Sequence, residues 1–311
     1  MAIVGLWASV SCEKAVDFRG EEQSPVIVVT SVPEPDTTIS LRVTYSRFFL
    51  AGGDFRPVAH ATVSVAANGN SYAGVYNGSR YNVPYTVQQG DSLSLVLRIP
   101  QSDTVLTAST RVPFRPQAVS KGVSGRNLRF SLSDRPGERN YYRVSLLAVD
   151  TMIHYYDSNG HYVLPDDAGA VGCDTVVDTT NIYFSCSDAA LTSDASSLNI
   201  SLDGDEIFWQ LYFTDELFDA QTREINLVAE ENIQYDYEYE KDGSGIIRYY
   251  LLRVESLSRE AYLYEISRSK QDDGDFFLTE PVQVQCNIVG GIGIFAAKSV
   301  TVLTFKNANS E

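Results

Sequence analysis

Few residues in this sequence have the types and spacing that chemistry requires. Ser267 and Lys270 fit the Ser-x-x-Lys pair of penicillin-recognising enzymes, but neither Ser-Asp-Asn nor Lys-Thr-Gly accompanies them, so the match reads as chance on a helix surface. Gly122-Val123-Ser124-Gly125 stops short of a nucleophile elbow because Arg126 takes the place of the last glycine. Gly290-Gly291-Ile292-Gly293 lacks the dinucleotide-binding spacing, and Ala297-Lys298-Ser299 has alanine where a phosphate loop needs glycine. The chain has three histidines, His60, His154 and His161. A metal cluster built on them would need carboxylates from afar, and surface histidines are the simpler reading. Asp157, Asn159 and Gly160 match the opening of a calcium loop, but its closing position is Ala168. Asp203-Gly204-Asp205-Glu206 and Asp272-Asp273-Gly274-Asp275 read as solvated acidic turns, with calcium as the alternative. A pair of glycosidase carboxylates has no signature in sequence, because the few ångströms between them are set by the fold.

Aromatic and thiol residues offer binding rather than catalysis. Tyr235, Tyr237 and Tyr239 alternate with Asp236, Glu238 and Glu240, which puts tyrosine on one face of a strand and carboxylate on the other. Such a ladder either stacks on a sugar or peptide or faces the core while the acids face water. Cys173 and Cys186 either pair in an oxidising compartment or stand as unpaired thiols in loops, and Cys286 reads as a small buried residue of a patterned strand.

Composition narrows the classes. The 311 residues suffice for two ordinary domains, and 44% apolar with 21% charged residues is the balance of a folded protein. A net charge of -16 with no cluster of lysine and arginine argues against a nucleic-acid partner. No apolar run beyond residue 12 approaches the roughly 20 residues of a membrane-spanning helix.

The elements that must position these residues are strands. Ala2 to Val10 is apolar or small and leads to Ser11-Cys12, which reads as the end of a lipoprotein export signal with Cys12 as the lipidated residue; the alternative is a strand with an incidental cysteine. Residues 13–24 then form a tether. From Val26 short alternating runs follow one another, the clearest being Leu93, Leu95, Leu97 and Ile99, with Asn68-Gly69 and Asn77-Gly78 as hairpin turns. Residues 25–116 therefore predict a β-sandwich of immunoglobulin or transthyretin type, 117–126 a linker, and 127–311 a larger β-rich domain with one helix, so the fold class is mainly all-β. Within the second domain, 165–197 reads as a long surface excursion, Thr214 as the cap of a short helix through Phe218, and Ser258 as the cap of the helix 259–270. Val282, Val284 and Cys286 alternate as a strand, and after the glycines residues 294–304 return as another.

Five stretches carry a resemblance: PVAHATVSV (57–65), SDRPGERNYYRV (133–144), FTDELFD (213–219), SREAYLYEIS (258–267) and EPVQVQCNIVGGIGIFAAKS (280–299). In order and over nearly the whole chain, they resemble the Bacteroidetes outer-membrane lipoproteins of family 4249 of the domains of unknown function. The resemblance implies a lipid anchor at Cys12, an extracytoplasmic location, an immunoglobulin-like first domain, a β-rich second one, and an accessory role beside TonB-dependent outer-membrane receptors. It supplies no catalytic residues, and no cofactor is expected. The expectation is a non-enzymatic, lipid-anchored binding or accessory subunit of an uptake system. A surface adhesin is the alternative, and a glycan-active hydrolase the second.

Overall fold

The computed structural model describes residues 24–48, 52–100, 103–164, 169–192, 199–200, 206–233, 236–239, 244–272 and 283–305. Cys12, the tether 13–23, Tyr235 and the acidic runs 203–205 and 273–275 lie outside the described residues.

The chain is mainly β. Seven strands come first: β1 (Ile27–Ser31), β2 (Thr38–Tyr45), β3 (Thr62–Ala67), β4 (Asn70–Tyr76), β5 (Tyr81–Thr86), β6 (Ser92–Arg98) and β7 (Val105–Arg111). Their alternation has the expected cause, since Ile39, Leu41, Leu93, Leu95 and Leu97 are buried while the residues between them reach or approach solvent. Asn68 and Gly69 both take positive φ, 51° and 89°, as a two-residue hairpin turn between β3 and β4 requires.

The second unit begins with β8 (Gln117–Ser124), β9 (Asn127–Ser133), β10 (Tyr141–Tyr156), β11 (Gly172–Ile182) and β12 (Phe184–Cys186). The short helix α1 (Ala189–Thr192) follows, then β13 (Asn199–Ile200), β14 (Glu206–Ile207), β15 (Leu211–Thr214), β16 (Thr222–Ala229), β17 (Asp236–Tyr239) and β18 (Ser244–Leu257). Helix α2 (Arg259–Asp272) and β20 (Lys298–Phe305) end it, with β19 (Ile292–Phe295) lying between them in sequence. Strands β8, β9, β16 and β12 form one sheet; β10 and β18 form the centre of another, flanked by β11, β15, β17 and β20. Phe130, Leu132, Ile225 and Leu227 of the first sheet share a core with Val144, Leu146, Leu252 and Val254 of the second, which is sandwich packing.

The β-sandwich expected over 25–116 takes the form of a single eight-stranded sheet, curled until it is nearly closed, and its eighth strand comes from the far end of the chain. The order is β19-β1-β2-β5-β4-β3-β6-β7, with β19 parallel to β1. Just before β19, Val289 exchanges both backbone hydrogen bonds with Thr107 of β7, at 3.1 and 2.8 Å, so the segment touches both edges of the sheet. Two glycines permit this approach. Gly290 has φ +84° and a side chain there would meet the Val105 carbonyl at 2.6 Å; Gly293 has φ +113° and a side chain there would run into the Val29 carbonyl. Asn287 completes the closure, its Nδ2 donating to the carbonyls of Ser109 (3.2 Å) and Phe295 (2.7 Å) while its Oδ1 accepts the Phe295 N–H. After the fully buried Ala296 and Ala297 the chain enters the second unit as β20. Residues 288–305 thus belong to both units.

Several expectations are corrected. The linker 117–126 is mostly β8, paired with β9, and the prolines before it are pinned where Ser299 donates to the Pro113 carbonyl and Thr301 to that of Pro116. The excursion 165–197 contains β11, paired with β10 through eleven successive positions; its Asp, Thr and Val residues are exposed, so no alternation announced it. Thr214 ends β15 rather than capping a helix, and a turn follows in which Phe218 N–H bonds the Asp215 carbonyl. Residues 283–288 are irregular rather than a strand and Cys286 is exposed, because the amides there bond side chains: Gln285 N–H to Ser267 Oγ, and Ile288 N–H to Cys286 Sγ. Helix α2 follows the reading, with Ser258 Oγ accepting the Ala261 N–H.

Candidate binding cleft

Between the two units lies a cavity of about 350 Å³, within the usual size range of small-ligand sites. Three separate pieces of chain wall it: the end of β7 with Arg111, the turn into β10 with Glu138, Arg139 and Tyr141, and the junction of β18 with α2 at Ser258 and Arg259. Ser258 fixes this junction, because its hydroxyl also accepts the Ala297 N–H at 3.2 Å and so ties the helix start to the shared C-terminal segment. Arg111 lies 3.4 Å from Glu138. Arg139 donates to Glu216 at 2.7 Å and sits 6.0 Å from the centroid of the Tyr141 ring. Arg259 has no ion-pair partner among the described residues. With Arg111 held by Glu138 and Arg139 by Glu216, Arg259 is left as the wall's uncompensated positive charge among the described residues. A guanidinium offers planar paired donors that match a carboxylate or phosphate.

A buried charge network stands behind the cleft. Glu255, 1% exposed, accepts bonds from Arg143 and, at 3.0 Å each, from Arg253 and Lys298. Lys298 also reaches Glu34 of the first unit at 3.2 Å, and Thr110 of β7 bonds Glu260 of α2 at 3.1 Å. Burial opposes the charge on Glu255, but the Arg143 hydrogen bond and charge, with Lys298 adding to them, hold its pKa at about 2.

On one flank, Asp134, Asp215 and Asp219 bring carboxylate oxygens within 4.8 Å of one another, a set of hard ligands that a cation could use. Protein donors already serve the two buried members. Asp134 accepts the Tyr142 hydroxyl (2.7 Å) and the Ala220 N–H (3.0 Å); Asp215 accepts the Asn140 N–H (2.8 Å) and Nδ2 (3.0 Å). Burial raises the pKa of Asp215.

The residues singled out from sequence fall elsewhere. Tyr237 lies opposite Ile247 and Tyr239 opposite Gly245 in the β17–β18 ladder, while Tyr235 and the side chains of all three tyrosines lie outside the described residues. Cys173 and Cys186 are free: the first is exposed on β11, the second buried on β12 in the other sheet, where burial raises its thiol pKa. Ser267 donates to the Tyr264 carbonyl and accepts the Gln285 N–H, which engages its hydroxyl with the backbone. Asp157 shapes its own turn by accepting the N–H groups of His161 and Asn159. His60 is exposed and His154 packs on Tyr162 at 5.1 Å, so the histidines do not gather.

Sequence reasoning missed the arginines of the cleft, which lie 28 and 120 residues apart in order, yet a signal was present. Arg139 belongs to SDRPGERNYYRV, Glu216 to FTDELFD, Arg259 to SREAYLYEIS and Lys298 to the C-terminal stretch, so four of the five stretches that carry the family resemblance meet at this junction.

A mainly β chain of two units sharing one C-terminal segment is the class these observations define. The family model for the domain of unknown function DUF4249 matches residues 13–304, and the chain belongs to that family. No curated protein matches. Among solved structures, the chain is similar to one described as "Biofilm associated protein - B domain", at 8% identity and a TM-score of 0.17, over 90% of this chain and 86% of that one. Among the described residues no helix is long and apolar enough to cross a membrane.

Proposed function

We propose that this protein is a non-enzymatic binding subunit, anchored to the outer membrane by lipid on Cys12, that takes a carboxylate-bearing ligand in the cleft between its two units and serves a TonB-dependent uptake receptor. The observation that carries the binding reading is the cavity walled by Arg111, Arg139 and Arg259 and built from both units. The anchor and the receptor rest on the family resemblance.

Thermal-shift measurements on the whole chain with a panel of di- and tricarboxylates, sugar acids and acidic peptides test the cleft. At least one should raise the melting temperature, and Arg259→Ala should abolish the shift. A silent panel, or a shift that survives the substitution, counts against it. Purification from native membranes in mild detergent tests the rest: the expected result is an acylated Cys12 by mass spectrometry and a TonB-dependent receptor among the co-purifying proteins.

A further inference from the structure

A free strand edge runs along the second unit. β11 occupies the end of the order β11-β10-β18-β17, pairs with β10 from Gly172 to Ile182 without a register shift, and has no strand on its other side among the described residues. Cys173 to Asn181 are all exposed. Proteins usually blunt a long edge with proline, lysine, a bulge or a covering segment, because unpaired N–H and C=O groups recruit other strands. The sequence GCDTVVDTTNI has neither proline nor lysine, and the ladder has no bulge. Large apolar side chains also remain exposed around it: Tyr162 (62%), Leu164, Val171, Val176, Val177 (61%) and Tyr183. Such a concentration marks an interaction surface.

The charge of the edge selects the occupant. Asp174 and Asp178 lie along β11, and neither has a cationic partner among the described residues. Asp178 faces Asp150 across the ladder, whose carboxylate is occupied by both Nε and Nη2 of Arg248. A second copy of this chain is the poorer fit, since pairing β11 on itself about Val176 sets Asp174 against Asp178 and joins two chains of net charge -16.

We propose that β11 is an open docking edge that accepts an extended, lysine- or arginine-bearing segment of another protein as an added strand. Main-chain hydrogen bonds supply the affinity, and Asp174, Asp178 and the exposed valines select the partner's alternating side chains.

The test uses the whole chain and fluorescein-labelled ten-residue peptides in which lysine alternates with valine and threonine, with a second set carrying glutamate for lysine. Fluorescence anisotropy should show the lysine peptide binding at least tenfold tighter than the glutamate peptide, and hydrogen exchange should slow at 172–182. Val177→Lys should weaken the lysine peptide at least tenfold. The double variant Asp174→Lys, Asp178→Lys should reverse the preference, with circular dichroism confirming that both variants keep the wild-type spectrum. Equal binding of the two peptides, protection elsewhere than β11, or concentration-dependent self-association that protects β11 without peptide would overturn the proposal.

Discussion

Glu255 lies directly opposite Arg143 in the ladder between β10 and β18, and the two side chains are bonded, Nε to Oε2, with almost no access to solvent. Both belong to the second unit, but Lys298, which shares Glu255, also holds Glu34 of the first. One buried carboxylate therefore anchors charges that face the junction, and its loss leaves Arg143 with only the more distant Glu265, at 3.8 Å, and Lys298 with only Glu34.

Glu255→Ala should destabilise the protein by about 3–5 kcal/mol, the usual cost of removing one member of a buried ion pair. Replacing Arg143 with Met and Glu255 with Leu together should cost less than the single change, because the most buried cation of the network leaves with its counter-charge while Lys298 keeps Glu34. Urea denaturation of the three proteins measures both effects. A Glu255→Ala variant within about 1 kcal/mol of wild type would mean that water already screens the pair.

The same group sets an acid limb. The folded-state pKa of Glu255, about 2, lies below its ordinary 4.5, so its contribution is present above pH 4.5 and is lost as pH falls toward 2. Asp150 and Asp188, lowered chiefly by hydrogen bonds from Arg248 and Arg223, act in the same direction. Asp215 acts oppositely: burial raises its pKa, so its contribution is present below 3.8 and is lost as pH rises through its folded value. In urea titrations against pH, the stability gap between wild type and Glu255→Gln should be constant near neutrality and should close between pH 4.5 and 2. A gap that does not change with pH would contradict the assignment.

Tyr142→Phe removes the hydroxyl that donates to Asp134 at 2.7 Å inside the core. The expected loss is about 1.5–3 kcal/mol, as for a hydrogen bond to a charged group, without change in the core packing of the ring on Phe213 and Phe218. Thermal unfolding checks the loss, and near-ultraviolet circular dichroism checks the packing.

Much of the fold was legible, for a physical reason. Wherever a strand buries one face, as at Leu93, Leu95 and Leu97, the period-two pattern reports it, and Ser258 announced α2 through its side-chain oxygen. β11 was illegible because an edge strand exposed throughout needs no alternation. Val284 and Cys286 misled in the opposite way, by alternating with their polar neighbours without a ladder to join. The glycines at 290, 291 and 293 were visible as a turn, but that they let one segment close a sheet begun more than 260 residues earlier depends on non-local contact with Val29 and Val105. The cleft was hidden for the same reason: Arg111, Arg139 and Arg259 become neighbours only after that closure.

Residues 288–305 join the two β units into one body and so create the cleft. Differential scanning calorimetry of the whole chain and of Gly293→Val tests it directly, since a side chain at 293 collides with the Val29 carbonyl and a β-branched residue resists φ +113°. The expected result is a single cooperative transition for the unmodified chain and two separated transitions for Gly293→Val, the first-unit sheet melting earlier. Two independent transitions in the unmodified chain, or an identical thermogram for the variant, would contradict it.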